Sequence, residues 1–319
     1  MRGVRLSDAE VVAAIDHITT SLREVVGRSF RRKGAVVGIS GGIDSSVVAA
    51  LCARAFGPER VLGLTMHEAE SSDDTERFAS RVIDRFGIAH CDEPLSPLLD
   101  AAGCYRRRDA AIRNVVPRYG AGWRSKLVLP SLVDGDQLRV FSIVVRAPDG
   151  EEQRVRLPLE CYLEIVAATN FKQRTRKMLE YFHADRLGYA VAGTPNRLEY
   201  ELGFFVKNGD GAADVKPIAH LYKSQVYQLA AVLGVPREIC ERPPTTDTYS
   251  LPQSQEEFFF AVPLHQLDAC VFAHEQGAPA AEVATELGLS VDQVQRIFRD
   301  ITAKKLAAQY LHAAPLTLA

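Results

Sequence analysis

The chain has 319 residues, 47% of them hydrophobic, and a formal charge of −2. That length can bury a substantial core, and the near-balanced charge points neither to nucleic acid nor to an anionic membrane surface. No apolar run approaches the ~20 residues that a membrane span requires.

The N-terminal stretch MRGVRLSDAEVVAAIDHITTSL alternates charged and apolar residues at helical spacing and has no signal-peptide core, so residues 7–31 are expected to form an amphipathic helix. An apolar, β-branched run at 34–39 predicts a buried strand, followed by the glycine-rich turn Ser40, Gly41, Gly42, Ile43 and Asp44 and a helix over 45–56. A strand, a glycine-rich turn and a helix N-terminus together make an anion site, because the first N–H groups of the helix have no intrahelical partner. The adjacent glycines allow close approach to a phosphate, and the hydroxyls of Ser40, Ser45 and Ser46 can donate to its oxygens. Asp44 would repel a phosphate unless a divalent cation lay between them, so it is read as a Mg²⁺ ligand. No lysine follows as in a Walker loop, and the G-x-G-x-x-G fingerprint is absent.

A second strand is expected at 61–66, a helix at 73–86, a short strand at 88–91 and a helix at 97–118. Alternation of strands and helices predicts an α/β fold with an open, mostly parallel sheet and helices on both faces, binding its ligands beyond the carboxyl ends of the strands. Pro148, Asp149 and Gly150 between two strand-like runs predict a β-hairpin inserted within 125–160. Helix resumes at Glu160, and Lys172, Arg174, Arg176 and Lys177 give it a basic face of the kind that is usually solvated. A strand at 189–193, a helix at 196–201 carrying Glu199, and a glycine-rich loop at 203–211 carrying Lys207 follow. The loop is read as flexible and suited to phosphate, Lys207 as a point charge for a phosphate, and Glu199 as a second Mg²⁺ ligand beside Asp44.

The six cysteines are scattered without a C-x-x-C pair, which argues against zinc, iron–sulfur and disulfide frameworks and suits a reducing cytoplasmic setting. The helical part at 255–312 contains a helix-turn-helix-like pair, but Arg296 and Arg299 are offset by Asp292 and Asp300, so its second helix is not basic enough to read DNA.

The string S-G-G-x-D-S-S at Ser40–Ser46 resembles the pyrophosphate loop of N-type ATP pyrophosphatases. Gly193, Thr194, Asn196, Glu199, Gly203, Phe204, Phe205, Lys207, Gly209, Asp210, Gly211 and Asp214, then Leu221, Lys223, Gln225 and Val226, narrow the resemblance to NAD synthases, as does the run Asn170, Lys172, Arg174, Arg176. The similarity covers roughly residues 10–125 and 160–311. It implies one catalytic domain over 1–319 that uses ATP and Mg²⁺ to adenylate a carboxylate, that of nicotinate adenine dinucleotide, and amidates it with ammonia, releasing AMP and pyrophosphate. A different carboxylate in a specialised pathway, thiolation on the same fold and nucleotide binding without catalysis are the competing readings.

By that resemblance Asp44, Lys207 and Thr245 are catalytic, with Asp44 and Glu199 on the metal. Gly38, Ser40, Gly41, Gly42, Ser45, Ser46, Met66, Arg174, Thr194, Lys223 and Lys304 would contact the nucleotide or its phosphates. A homodimer is implied, with no nucleic-acid or membrane partner. No glutaminase is present, so ammonia is taken free or from a separate glutaminase. The stretch after Asp247 and the 125–160 insertion depart from the family pattern and leave the identity of the carboxylate open.

Overall fold

The structure, a computed structural model, describes residues 4–129, 141–243 and 248–317. Its first helix, α1 (Asp8–Leu22), is started by a Ser7 capping box with Glu10 and continues as a wider, π-type turn over Arg23–Ser29. β1 (Ala35–Gly38), α2 (Ile43–Phe56), β2 (Val61–Thr65), α3 (Asp73–Phe86) and β3 (Ala89–Asp92) then alternate as the apolar runs predict. The helix expected at 97–118 is instead two, α4 (Ser96–Ala101) and α5 (Cys104–Arg113), because Gly103 turns into the left-handed region at φ +71°.

Beyond α5 lie β4 (Arg124–Val128), β5 (Ser142–Arg146) and β6 (Glu152–Arg156), an antiparallel sheet in the order β4-β5-β6. The expected hairpin is its β5–β6 half. The third strand, β4, has its outer edge partly covered by the 250–257 segment, where Leu251 N–H donates to the Ser125 carbonyl (3.2 Å) and Ser125 N–H to Ser250 Oγ (2.9 Å). α6 (Leu159–Leu187) is 29 residues long and ends at left-handed Gly188. β7 (Ala190–Val191) and α7 (Arg197–Leu202) lead to α8 (Lys223–Leu233), α9 (Arg237–Glu241), α10 (Leu264–Glu275), α11 (Ala280–Leu287) and α12 (Val291–His312).

The parallel sheet has the order β3-β2-β1-β7. Its residues alternate between two apolar layers, as the period of two along a strand dictates. Ala35, Val37 and Ile39 pack with α1, α2, α3 and α8, whereas Val36, Leu62, Leu64 and Val191 pack with α4, α5 and α6. A third cluster joins the antiparallel sheet to α5 and the start of α6, and a fourth holds α10, α11 and α12 against α7. Since the strands are parallel, the turns after β1, β2 and β7 open on one edge, above which α6 and α12 form walls.

Candidate active site

That edge opens into a cleft of about 850 Å³ lined by Gly38, Ser40, Asp44, Met66, Arg174, Thr194, Glu199, Lys207 and Lys223, among others. The Ser40–Asp44 turn takes its shape from Gly41, whose φ of +69° and contact with α3 leave no room for a side chain: a Cβ there would lie 2.6 Å from that of Phe78. Ser40 Oγ and Ser45 Oγ lie 3.2 Å apart on the cleft side, and Gly42 caps α2. Ser46 is different: its hydroxyl donates to the Gly42 carbonyl at 2.8 Å and is fully buried, so it braces the loop from behind.

Asp44 and Glu199 lie far apart in the sequence and meet through Asn196 and Lys223. Asn196 caps α7: its Oδ1 accepts from the Glu199 N–H at 3.2 Å and its Nδ2 donates to Asp44 Oδ1 at 3.2 Å. Glu199 Oε2 accepts from the Asn196 N–H at 3.1 Å, closing the capping box. Lys223, at the start of α8, is buried and its ammonium pairs with Asp44 Oδ2. Gln255 Nε2 donates to Glu199 Oε1 at 3.0 Å, while the Gln255 carbonyl oxygen is buried without a partner.

Two carboxylates thus share one lysine. Burial first, and the nearby Asp44 carboxylate second, push Glu199 up to about 8. Burial alone would lower the Lys223 ammonium, but Asp44 and Glu199 outweigh it and raise it. This donor set fits a hydrated divalent cation: each carboxylate oxygen takes one hydrogen bond and keeps a second lone pair, a negative charge is left over once both carboxyls are ionised, and the orphaned Gln255 oxygen can accept from a metal-bound water.

Lys207 lines the cleft, but its ammonium lies 4.3 Å above the Tyr310 ring and donates to the Tyr310 (2.7 Å) and Ala313 (3.1 Å) carbonyls at the end of α12. A helix C-terminus attracts a cation, and it competes here with any phosphate. The loop that carries Lys207 is packed, not flexible: the half-buried Asp210 carboxylate accepts from the Val206 N–H at 2.7 Å, and a Cβ on Gly211 would lie 2.2 Å from the Phe205 ring. Arg174, Thr194 and Met66 all reach the cleft lining. Lys304 does not: its ammonium pairs with Asp300 at 2.8 Å and donates to the Phe259 carbonyl at 2.7 Å, tying α12 to the preceding turn. Thr245 lies outside the described residues.

The basic face of α6 is not the solvated surface that its composition suggests. Lys172 is 2% exposed and its ammonium contacts Glu68 (2.9 Å), Glu70 (2.5 Å) and the Thr248 carbonyl (2.9 Å). Arg108 of α5 pairs with Glu70, and Tyr105 OH donates to Glu68 at 2.6 Å. Burial pushes Glu68 up, but Lys172 and these hydrogen bonds outweigh it and hold the carboxyl below its ordinary value. Farther along α6, Lys177 pairs with Glu180 at 2.5 Å in the cleft wall. Sequence reasoning missed both pairs. Their signal was the recurrence of Lys172, Arg176 and Glu180 every four residues, which puts charge on one face of a helix that must also cover a sheet.

Among the described residues one other group of metal-ligating atoms comes together, Cys91, Glu93 and His183. Arg186 Nε lies 3.0 Å from His183 Nδ1. A guanidinium only donates, so Nδ1 is the acceptor and Nε2 carries the proton that it gives to Glu93 at 2.7 Å. That tautomer has no lone pair for a metal at Nε2.

The NAD synthase family model matches residues 14–119 and 151–307, leaving out all of β4 and β5. The chain is 56% identical over 304 residues to an NH(3)-dependent NAD(+) synthetase from Mesorhizobium japonicum, covering 95% of each chain. Its fold is similar to that of an NMN synthetase from Francisella tularensis (TM-score 0.65, 21% identity, 98% of this chain and 99% of that one). It is also similar to an NH3-dependent NAD synthetase from Campylobacter jejuni in complex with nitrate (TM-score 0.60, 20% identity, 98% and 100%).

Proposed function

The chain belongs to the NAD synthase family, and from that premise we propose that it is an ATP-dependent carbon–nitrogen ligase that amidates nicotinate adenine dinucleotide with ammonia. The observation that carries this reading is the 56% identity, across 95% of both chains, to an NH(3)-dependent NAD(+) synthetase. The substrate carboxylate attacks the α-phosphorus of ATP, the bond to the β,γ-pyrophosphate breaks, and an acyl adenylate forms. Ammonia then attacks the acyl carbon, AMP leaves and a proton is lost from nitrogen.

This chain's residues supply placement and charge. Ser40, Ser45 and the unpaired N–H groups at the start of α2 receive the departing pyrophosphate. Lys223 holds Asp44 in place and neutralises part of the charge that gathers there. Asn196 and Gln255 fix Glu199. Arg174 and Thr194 lie where they can contact substrate, and Lys207 reaches a phosphate once it exchanges the carbonyls of α12 for it. Asp44 and Glu199 would hold Mg²⁺, which when bound neutralises the phosphates and stabilises the leaving pyrophosphate.

The chain acts as one catalytic unit and takes ammonia either free or from a separate glutaminase. A homodimer is supported by Leu159, Leu163, Met178 and Phe182, apolar side chains of α6 that are each more than half exposed. All six cysteines are unpaired, which suits the cytoplasm, and among the described residues no helix is long and apolar enough to cross a membrane.

The test is to incubate the purified chain with ATP, Mg²⁺, ammonium and nicotinate adenine dinucleotide and to follow NAD and pyrophosphate. Both should appear in equal amounts and only with ammonium present. Release of AMP and pyrophosphate with another carboxylate, and no NAD, would assign a different acceptor.

A further inference from the structure

The Lys177–Glu180 pair has no part in the chemistry above, yet it sits in the wall of the same cleft. Both residues are on α6, and their side chains are only 7% and 9% exposed. Burying two charges costs several kcal/mol of desolvation, and apolar residues of similar volume usually stabilise a core at least as well. A purely structural role therefore explains the pair poorly. Among the described residues Lys177 is the one group that bonds the Glu180 carboxylate, and it does so at Oε2 (2.5 Å). The other oxygen, Oε1, is turned toward Gly38 and would lie 3.1 Å from a Cβ at that position, beside Met66 Cε at the same distance. Gly38, Met66, Lys177 and Glu180 all line the cleft. The missing side chain at Gly38 thus leaves an acceptor oxygen open between the ends of β1 and β2.

From this geometry we infer that Glu180 Oε1 accepts a hydrogen bond from a ribose hydroxyl of ATP, with Lys177 as the positioning residue that holds the carboxylate turned. The inference rests on the ATP reading of the cleft. An ionised carboxylate only accepts, and the ribose offers two hydroxyl donors. Gly38 is two residues before Ser40, where the phosphates bind on this reading, and the ribose is joined to the α-phosphate through a single methylene. The base lies farther out, toward the loop after Met66. Carboxylate recognition of ribose hydroxyls is a general solution in α/β nucleotide sites.

The experiment compares kcat/KM for pyrophosphate release with ATP, 2′-deoxy-ATP, 3′-deoxy-ATP and inosine triphosphate. It uses the wild-type chain and the double variant Lys177→Met/Glu180→Leu, which removes both charges and keeps the volume filled; a thermal melt checks that the variant folds. Wild type should prefer ATP over one deoxy analogue by about 10- to 100-fold, the worth of a hydrogen bond to a charged group. In the variant that preference should collapse toward 1, while the preference for ATP over inosine triphosphate stays. A preference that survives in the variant, or no preference in wild type, overturns the inference while leaving the ligase reading intact. Loss of the adenine preference in place of the ribose preference overturns it too, by moving Glu180 to the base. Wild type that releases no pyrophosphate from ATP overturns the ligase reading and this inference with it.

Discussion

Two buried charge clusters lie at one cleft, the first touching it through Lys172 and Arg176, and they are built on opposite principles. Around α6, Lys172, Arg108 and Arg176 act on Glu68, Glu70 and Asp109, three cations to three carboxylates, and Glu68 is held below its ordinary range. At the other wall Asp44 and Glu199 share Lys223 alone, and Glu199 is pushed up to about 8. A balanced cluster is complete in itself and fastens α5, α6, the loop after β2 and the Thr248 segment together. An unbalanced one keeps a proton on Glu199 to relieve its excess charge, and a cation from outside can take that proton's place. Burial is common to both, and stoichiometry is what separates these two clusters.

The sharpest way to break this comparison is to delete one carboxylate of the unbalanced cluster. Asp44→Ala is expected to lower pyrophosphate release by roughly 1,000-fold or more, since it removes a proposed metal ligand and frees Lys223. Melting should hardly change, because the repulsion between Asp44 and Glu199 disappears with it. Retained turnover would remove Asp44 from the metal.

Lys172→Met should do the reverse. Leaving two buried carboxylates short of a cation is expected to cost about 3–5 kcal/mol in urea unfolding, and Glu70→Gln in the same chain should recover part of it. A Lys172→Met chain as stable as wild type would mean that the network is not the fastening described.

Glu199 gives the comparison a pH dependence. Its folded value of about 8 lies above the ordinary 4.5, so the metal-free native chain keeps a proton that the unfolded chain has shed between those values. Its stability should therefore fall as pH rises across that window, and Glu199→Gln should flatten the slope. On the proposed metal assignment Mg²⁺ has to displace the proton, so its affinity should drop about tenfold for each pH unit below 8. Calorimetric titration at pH 6, 7 and 8 reads this directly; a pH-independent affinity would place the metal elsewhere.

The smallest effect belongs to the rim. Lys126 of β4 pairs with Glu257 at 2.7 Å, with side chains 19% and 39% exposed, so Lys126→Ala should cost only about 1 kcal/mol in the same unfolding assay. A loss as large as that of Lys172→Met would mean that the antiparallel sheet is held on by this contact and not by its apolar face.

Legibility in the sequence followed locality. The strand and turn at Ala35–Asp44 announce themselves within ten residues, because β-branched burial, paired glycines and a helix start are each local chemistry. Asp73–Phe86 was readable to the residue from its amphipathic period. The break at Gly103 was hidden, because glycine inside a periodic run signals a stop only when its φ turns positive. β4 was hidden for a different reason: its partner begins fourteen residues downstream, and its other edge is covered by a segment more than a hundred residues away. Asp44 and Glu199 were legible as carboxylates in glycine-rich contexts, but Lys223 as the pivot between them required the fold. Lys304 failed because its charge turned inward, where Asp300 and two backbone carbonyls satisfy it.

One unbroken helix touches both ends of the cleft. α6 is 29 residues long, about 43 Å at 1.5 Å per residue, and it carries Tyr162 beside the antiparallel sheet and Glu180 beside β1. It works as a ruler: the spacing between the two ends is set by covalent rise and cannot be adjusted by domains rocking about a hinge. Inserting a single alanine between Arg176 and Lys177 would rotate everything beyond it by about 100°, throwing Glu180 out of phase with Gly38 while leaving Lys172 in place. The two ends of the cleft are therefore geared together through helical pitch, and the residue count of α6 should tolerate change far less than its exposed side chains.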